Sequence, residues 1–203
     1  MNTESRSIDQ ISIADMDAIV KQRLSDPNTH NRDQFKSSQY RQAAVLIPLL
    51  YENDHWSLLF TRRTDTVIDH KGQVSFPGGA QEAQDDSDED TALRETEEEI
   101  GLLSQNVRVL GKLPAFQTIS SYQITPVVAR IDLWPVDLRL SEAEVSRVFT
   151  IPVAWLASCD HWQEQIYRQH PVIFYQQFDG ELLWGITASI TQQFLRQMKW
   201  MMC

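Results

Sequence analysis

The chain has 203 residues, 42% hydrophobic and 23% charged, which bounds it to one well-buried domain with extras. A formal net charge of −10 excludes a general field attracting nucleic acid or an anionic membrane, so a phosphate-bearing ligand must meet a few local cations or a bound metal. No run approaches the ~20 apolar residues of a membrane helix, and two cysteines, Cys159 and Cys203, are too few for a disulfide framework and read as reduced thiols.

No apolar run follows Met1, so a secretory signal is not expected and the protein reads as cytoplasmic. Residues 1–38 read as a helical appendage, with a short amphipathic helix over residues 11–20 opened by Ser12 and a loop at 26–31. A second unit, residues 39–203, begins with the apolar run 43–50, which suits a buried strand. The turn 52–54 and a strand over 56–62 complete a hairpin. Residues 65–79 read as an irregular stretch punctuated by Gly72 and Pro77-Gly78-Gly79.

A helix is predicted from Ser87 or Asp88 to Ile100. Acidic residues complement its N-terminal dipole and Gly101 permits a left-handed cap. Further strands are expected at 107–110, 115–118, 125–131 and 171–178. Short and closing helices are expected at 141–149 and 186–198. The interleaving lacks a regular βαβ rhythm, so the fold class is α/β with a mixed sheet between helices.

Glu95, Glu98 and Glu99 stand at i, i+3 and i+4 of that helix, on one face. Like charges at this spacing repel. A solvated acidic face is the plainer reading of the run alone. The alternatives are a hard divalent cation, Mg²⁺ or Mn²⁺, which prefers carboxylate oxygens, and pairing to the planar guanidinium of Arg94. The Gly-Gly turn ahead of the helix lets backbone approach a ligand closely and could add a carbonyl ligand. The five histidines show no metal-ligand spacing. No nucleophile elbow or Walker loop is present. Trp155, Trp162, Trp184 and Trp200 read as core or interface residues.

The stretch 79–102 resembles the Nudix box, Gly-x5-Glu-x7-Arg-Glu-U-x-Glu-Glu-x-Gly-U. Arg94, Glu95, Glu98, Glu99, Gly101 and Leu102 match, with Thr96 at the first apolar position. Asp85 stands where the box has its first Glu, and eight residues rather than seven separate it from Arg94. Asp86 is the alternative acid. This one-residue-longer box is similar to that of the coenzyme A pyrophosphatase branch. Leu59, Thr61, Arg63, Gly72, Phe76, Pro77, Gly78 and Gly79 match that branch's signature. Residues 125–129 and 184–188 also resemble it.

The resemblance implies a Nudix-type α/β/α sandwich and a metal-dependent pyrophosphohydrolase. Glu95, Glu98, Glu99 and the Gly79 carbonyl would hold Mg²⁺ or Mn²⁺. Arg94 would orient a box carboxylate, and a glutamate in the box or on a later loop, with Glu144 as the loop candidate, would take the proton of the attacking water. An exposed helix-start glutamate is the other reading of Glu144. Arg63, Lys71, Gly78 and Gly79 would contact a small nucleotide-derivative substrate, and a homodimer is compatible with the family. The implied reaction splits coenzyme A or acyl-coenzyme A into 3′,5′-ADP and 4′-phosphopantetheine. Ile68 stands where the signature has its second Arg, with His70 or Lys71 as the nearby replacement cation. This departure keeps open another nucleoside diphosphate derivative, ADP-ribose or a dinucleotide. A non-catalytic ligand-binding module on the same fold is the third reading, which three crowded carboxylates argue against.

Overall fold

Alternation along the second half of the chain's first long strand divides the protein into two cores. In the computed structural model, which describes residues 7–25, 39–65 and 72–202, this strand is β1 (Arg41–Glu52). Its odd-numbered Ile47 and Leu49 join one apolar cluster, while Ala44, Leu46 and Leu50 face the opposite side. Such period-two sorting is what a strand buried on both faces requires.

Strand β2 (His55–Arg63) pairs antiparallel with β1. The connecting Asn53 and Asp54 both adopt left-handed φ, 45° and 63°, the pattern of a tight hairpin turn. Short strands β3 (Val74–Ser75) and β4 (Gly78–Ala80) then pair with β2 and β1. Strands β5 (Val107–Lys112), β6 (Phe116–Gln117) and β7 (Tyr122–Ile131) follow. β7 runs parallel to β1, which makes the sheet mixed, as expected. Strand β8 (Val145–Pro152) closes the far side against β2.

Helices cover both faces. On one, α1 (Ile13–Leu24) contributes Met16, Val20 and Leu24 and α4 (Gly185–Gln197) contributes Ala188, Ile190, Phe194 and Leu195 to the larger cluster. On the other, α2 (Asp88–Ile100) lays Ala92 and Ile100 against Ala44, Leu46, Val127, Ala129, Leu50 and Leu59. The expected helix–sheet–helix sandwich is therefore present. The short helix α3 (Val153–Ala157) and a separate hairpin of β9 (Trp162–Tyr167) and β10 (His170–Tyr175) complete the described α-helices and strands.

Ser12 caps α1 as expected, accepting from the Asp15 N–H at 3.2 Å. The segment ahead of the sheet is tied to it by more than apolar contact. The indole of Trp56 donates to the Ile11 carbonyl at 3.0 Å, and buried Arg130 donates to both carboxylate oxygens of Asp17, at 2.6 and 3.1 Å.

Two expectations are corrected. The helix placed at 141–149 is a turn followed by β8, because Phe149 and Ile151 alternate into the larger cluster opposite β2, with Val145 in the other cluster beyond the register shift. Cys159 is disulfide-bonded rather than a reduced thiol. The chain after α4 returns beside its segment, with the Met202 N–H donating to the Ala157 carbonyl at 2.9 Å, a proximity that composition does not reveal. Cys203 lies outside the described residues, as do Ile68, His70 and Lys71. No described helix is long and apolar enough to cross a membrane.

Candidate active site

Three segments meet along the face of α2 that borders β4: the helix itself, the Gly78-Gly79 strand, and the loop before β8. Ser87 caps the helix, its Oγ accepting from the Asp90 N–H at 3.1 Å, and Asp88, Glu89 and Asp90 occupy the favourable first turn. Gly101 ends the helix with φ 71°. Thr96, at a position where an apolar residue is expected, is fully buried. Its hydroxyl donates to the Ala92 carbonyl one turn back at 2.6 Å, so its burial leaves no orphan.

The four charged residues Arg94, Glu95, Glu98 and Glu99 fall into different environments. Arg94 donates to Asp85 through Nε at 2.9 Å and Nη2 at 3.0 Å, and to the Ala80 carbonyl at 3.1 Å. Its Nη1 lies 3.0 Å from oxygens of both Glu95 and Glu98. Of the two acids that the lengthened spacing leaves open, Asp85 is the one that Arg94 holds, while Asp86 is exposed. Arg94 and hydrogen bonds from Glu82 N–H and Thr91 Oγ1 hold the Asp85 carboxyl well below the usual range. Nothing in the sequence spacing says that this loop folds back onto the helix.

Glu99 is the buried member, its side chain 4% exposed. It accepts from the Gly78 N–H at 3.2 Å, and Arg63 Nη1 stands 3.7 Å away. Burial pushes its carboxyl up to about 7, despite the Gly78 hydrogen bond and Arg63. Glu95 is also raised by burial, against the pull of Arg94. The charges of Glu95 and Glu144 raise Glu99, and those of Glu98 and Glu144 raise Glu95, so Glu144 converges on the same site from its own loop. Glu98 projects outward, 60% exposed.

Gly79 lies directly under Glu95. A methyl carbon added there would sit 2.5 Å from Cδ of Glu95, so the carboxylate packs on bare backbone. Gly78 has φ 149° and faces the Ala44 carbonyl across β1.

Among the described residues, no three His, Cys, Asp or Glu side chains are grouped as a ready cation cage. The donor chemistry nonetheless fits a hard divalent ion. Glu95 and Glu99 are drawn out of water and repel each other and Glu144, a cost that a cation bound to carboxylate oxygen offsets.

The sequence pattern described as NUDIX domain matches residues 40–170. This chain belongs to the Nudix family. It is 39% identical over 169 residues to the uncharacterized Nudix hydrolase NudL of Photorhabdus laumondii, spanning 80% of this chain and 88% of that protein. Against the uncharacterized Nudix hydrolase NudL of Escherichia coli K12 it is 40% identical over 170 residues, 78% of this chain and 83% of that one. A MutT/nudix family protein from Enterococcus faecalis superimposes with a TM-score of 0.52 at 15% identity, over 92% of this chain and 74% of that one, a likeness of fold. The stretch that resembles the Nudix box, Gly79 to Leu102, is the β4–α2 unit just described. As Nudix hydrolases work with divalent metal ions, the question for this site is which residues would receive one.

Proposed function

We propose that this Nudix protein hydrolyses the pyrophosphate linkage of coenzyme A or an acyl-coenzyme A, releasing 3′,5′-ADP and 4′-phosphopantetheine. The observation that carries the reading is the convergence of Glu95, Glu99 and Glu144 beside the Gly78-Gly79 backbone, with Arg63 at the rim.

Glu95, Glu98, Glu99 and the Gly79 carbonyl would hold Mg²⁺ or Mn²⁺, which supplies charge neutralisation of the diphosphate and a more acidic attacking water. The chain's own residues do the rest. Arg94, clamped by Asp85, fixes Glu95 and Glu98 on one side of the helix. Gly78 N–H and Arg63 orient Glu99. Glu144, exposed and adjacent, accepts the proton of a water whose oxygen adds to one phosphorus; the bridging P–O bond breaks and the departing phosphate oxygen takes up a proton. Arg63 would meet a phosphate oxygen of the substrate: among the described residues its Nε is buried without a partner, a donor that such an oxygen would satisfy.

The branch signature from Leu59 to Gly79 supports coenzyme A as substrate. Ile68 favours a second reading, in which ADP-ribose or a dinucleotide is cleaved by the same machinery. A hydrolysis panel with Mg²⁺ or Mn²⁺ and coenzyme A, acetyl-coenzyme A, ADP-ribose, NADH and diadenosine substrates separates them. Turnover of coenzyme A with little of ADP-ribose is expected; the reverse order overturns the coenzyme A assignment. Tight binding without turnover under either metal would make the protein a ligand-binding module.

A further inference from the structure

Glu144 sits just beyond an irregularity in the β2–β8 ladder. The β2–β8 ladder runs in register from Ser57 opposite Pro152 to Arg62 opposite Arg147, then slips between Arg62 and Arg63 and ends with Arg63 opposite Val145. Beyond that irregularity the regular ladder cannot place the residues preceding β8. Two other sets of bonds do. At the α2 end, the Ser141 N–H donates to the Glu99 carbonyl at 2.9 Å, and the Glu144 N–H closes a turn onto Ser141 at 2.9 Å. At the β2 end, Thr64 makes two links. Its N–H donates to the Glu144 carbonyl at 2.9 Å, and its side-chain Oγ1 donates to the Ala143 carbonyl at 3.0 Å. Thr64 is 8% exposed, so its hydroxyl works where water competes little.

We propose that Thr64 is a positioning residue that sets Glu144 against Glu95 and Glu99. The inference rests on Glu144 acting in the hydrolysis proposed above. Thr64 directly follows Arg63, which reaches Glu99. The strand end that orients one carboxylate of the site therefore also pins the loop carrying another. The backbone link survives any substitution, whereas the hydroxyl link is specific to Thr or Ser at this position. Loss of the hydroxyl frees the Ala143 carbonyl and lets the exposed Glu144 side chain sample positions away from the site.

The test is a double-mutant cycle on the full chain with its best substrate and saturating metal. Thr64→Val keeps the side-chain shape and removes the donor. Its kcat is expected to fall about 5- to 10-fold with KM within about two-fold, the size of one net hydrogen bond realised at the transition state. Thr64→Ser is expected to stay within about two-fold of wild type. In the Glu144→Gln background, Thr64→Val is expected to change kcat by less than about two-fold, because the residue it positions no longer takes the proton. An equal loss in both backgrounds, no loss in either, or an undiminished Glu144→Gln enzyme overturns the inference while leaving a working hydrolase in place. A wild-type chain that turns over no pyrophosphate substrate overturns the functional reading and this inference together.

Discussion

Arg94 grips Asp85 through two parallel hydrogen bonds, Nε to Oδ1 at 2.9 Å and Nη2 to Oδ2 at 3.0 Å. The Asp85 side chain is 3% exposed and that of Arg94 17%. Removing Asp85 strips Arg94 of a bidentate partner and orphans the Thr91 hydroxyl and the Glu82 N–H, while Glu95 and Glu98 still balance the Arg94 charge. Asp85→Ala is expected to lower stability by about 1–3 kcal/mol, and Asp86→Ala by less than about 0.5 kcal/mol. Urea unfolding of the two variants checks this; equal effects would remove Asp85 from the role of clamp.

The adjacent glycines 78 and 79 should fail in different ways. At Gly78 an added methyl carbon would lie 2.4 Å from the Ala44 carbonyl oxygen and 2.6 Å from the Val45 Cα, with φ at 149°. Backbone cannot retreat cheaply, so Gly78→Ala is expected to cost at least about 2 kcal/mol of stability. At Gly79 the clash is with the tip of Glu95, which can swing aside. Gly79→Ala is therefore expected to unfold within about 1 kcal/mol of wild type and to lose kcat by at least about ten-fold. Thermal melts paired with turnover measurements distinguish the two, and a stable, fully active Gly79→Ala would show that Glu95 need not lie against this backbone.

The N-terminal segment offers a third test. Sequence reading sets residues 1–38 apart as an appendage. In the structure Met16 and Val20 are 0% exposed, in the same cluster as Leu58 and Phe60 of β2. Met16→Ala is expected to cost about 2–5 kcal/mol, as a truncation in a packed core does. A change below about 0.5 kcal/mol would make α1 an appendage that adds little to the core.

The sequence made the box helix legible because its signals are local: Ser87 at the cap, acids in the first turn, apolar Ala92 and Ile100 on the sheet face, Gly101 at the stop. The hairpin around Asn53-Asp54 was legible for the same reason. What stayed hidden depends on contacts distant in the chain. Val145 to Pro152 carries turn-like residues ahead of it and reads as helical until β2 lies opposite. Strands β3 and β4 are two and three residues long and borrow their order from β2 and β1. The difference between Glu98, which is exposed, and Glu99, which is enclosed, is one residue of helical rotation and was invisible in the spacing alone.

That rotation leads to the last prediction. Glu99 is buried and its carboxyl rises from the model-compound value of 4.5 to about 7. Between these two pH values the folded metal-free chain holds a proton that the unfolded chain has released. Stability must therefore fall as pH rises through this window, by about 3 kcal/mol in all, and level off above it. A divalent cation reverses the sign of the local field and favours the ionised carboxylate, so Mg²⁺ or Mn²⁺ is expected to raise the melting temperature more at pH 8 than at pH 5.5. Glu99→Gln keeps the shape, removes its titration, and is expected to weaken both dependences, leaving the smaller part that raised Glu95 carries. Melting curves of wild type and variant, with chelator and with metal, make the measurement. A wild-type melting temperature that stays flat from pH 5 to 8 in chelator would mean that Glu99 is already ionised in the fold, and its burial would then need another cation, with Arg63 at 3.7 Å as the nearest candidate.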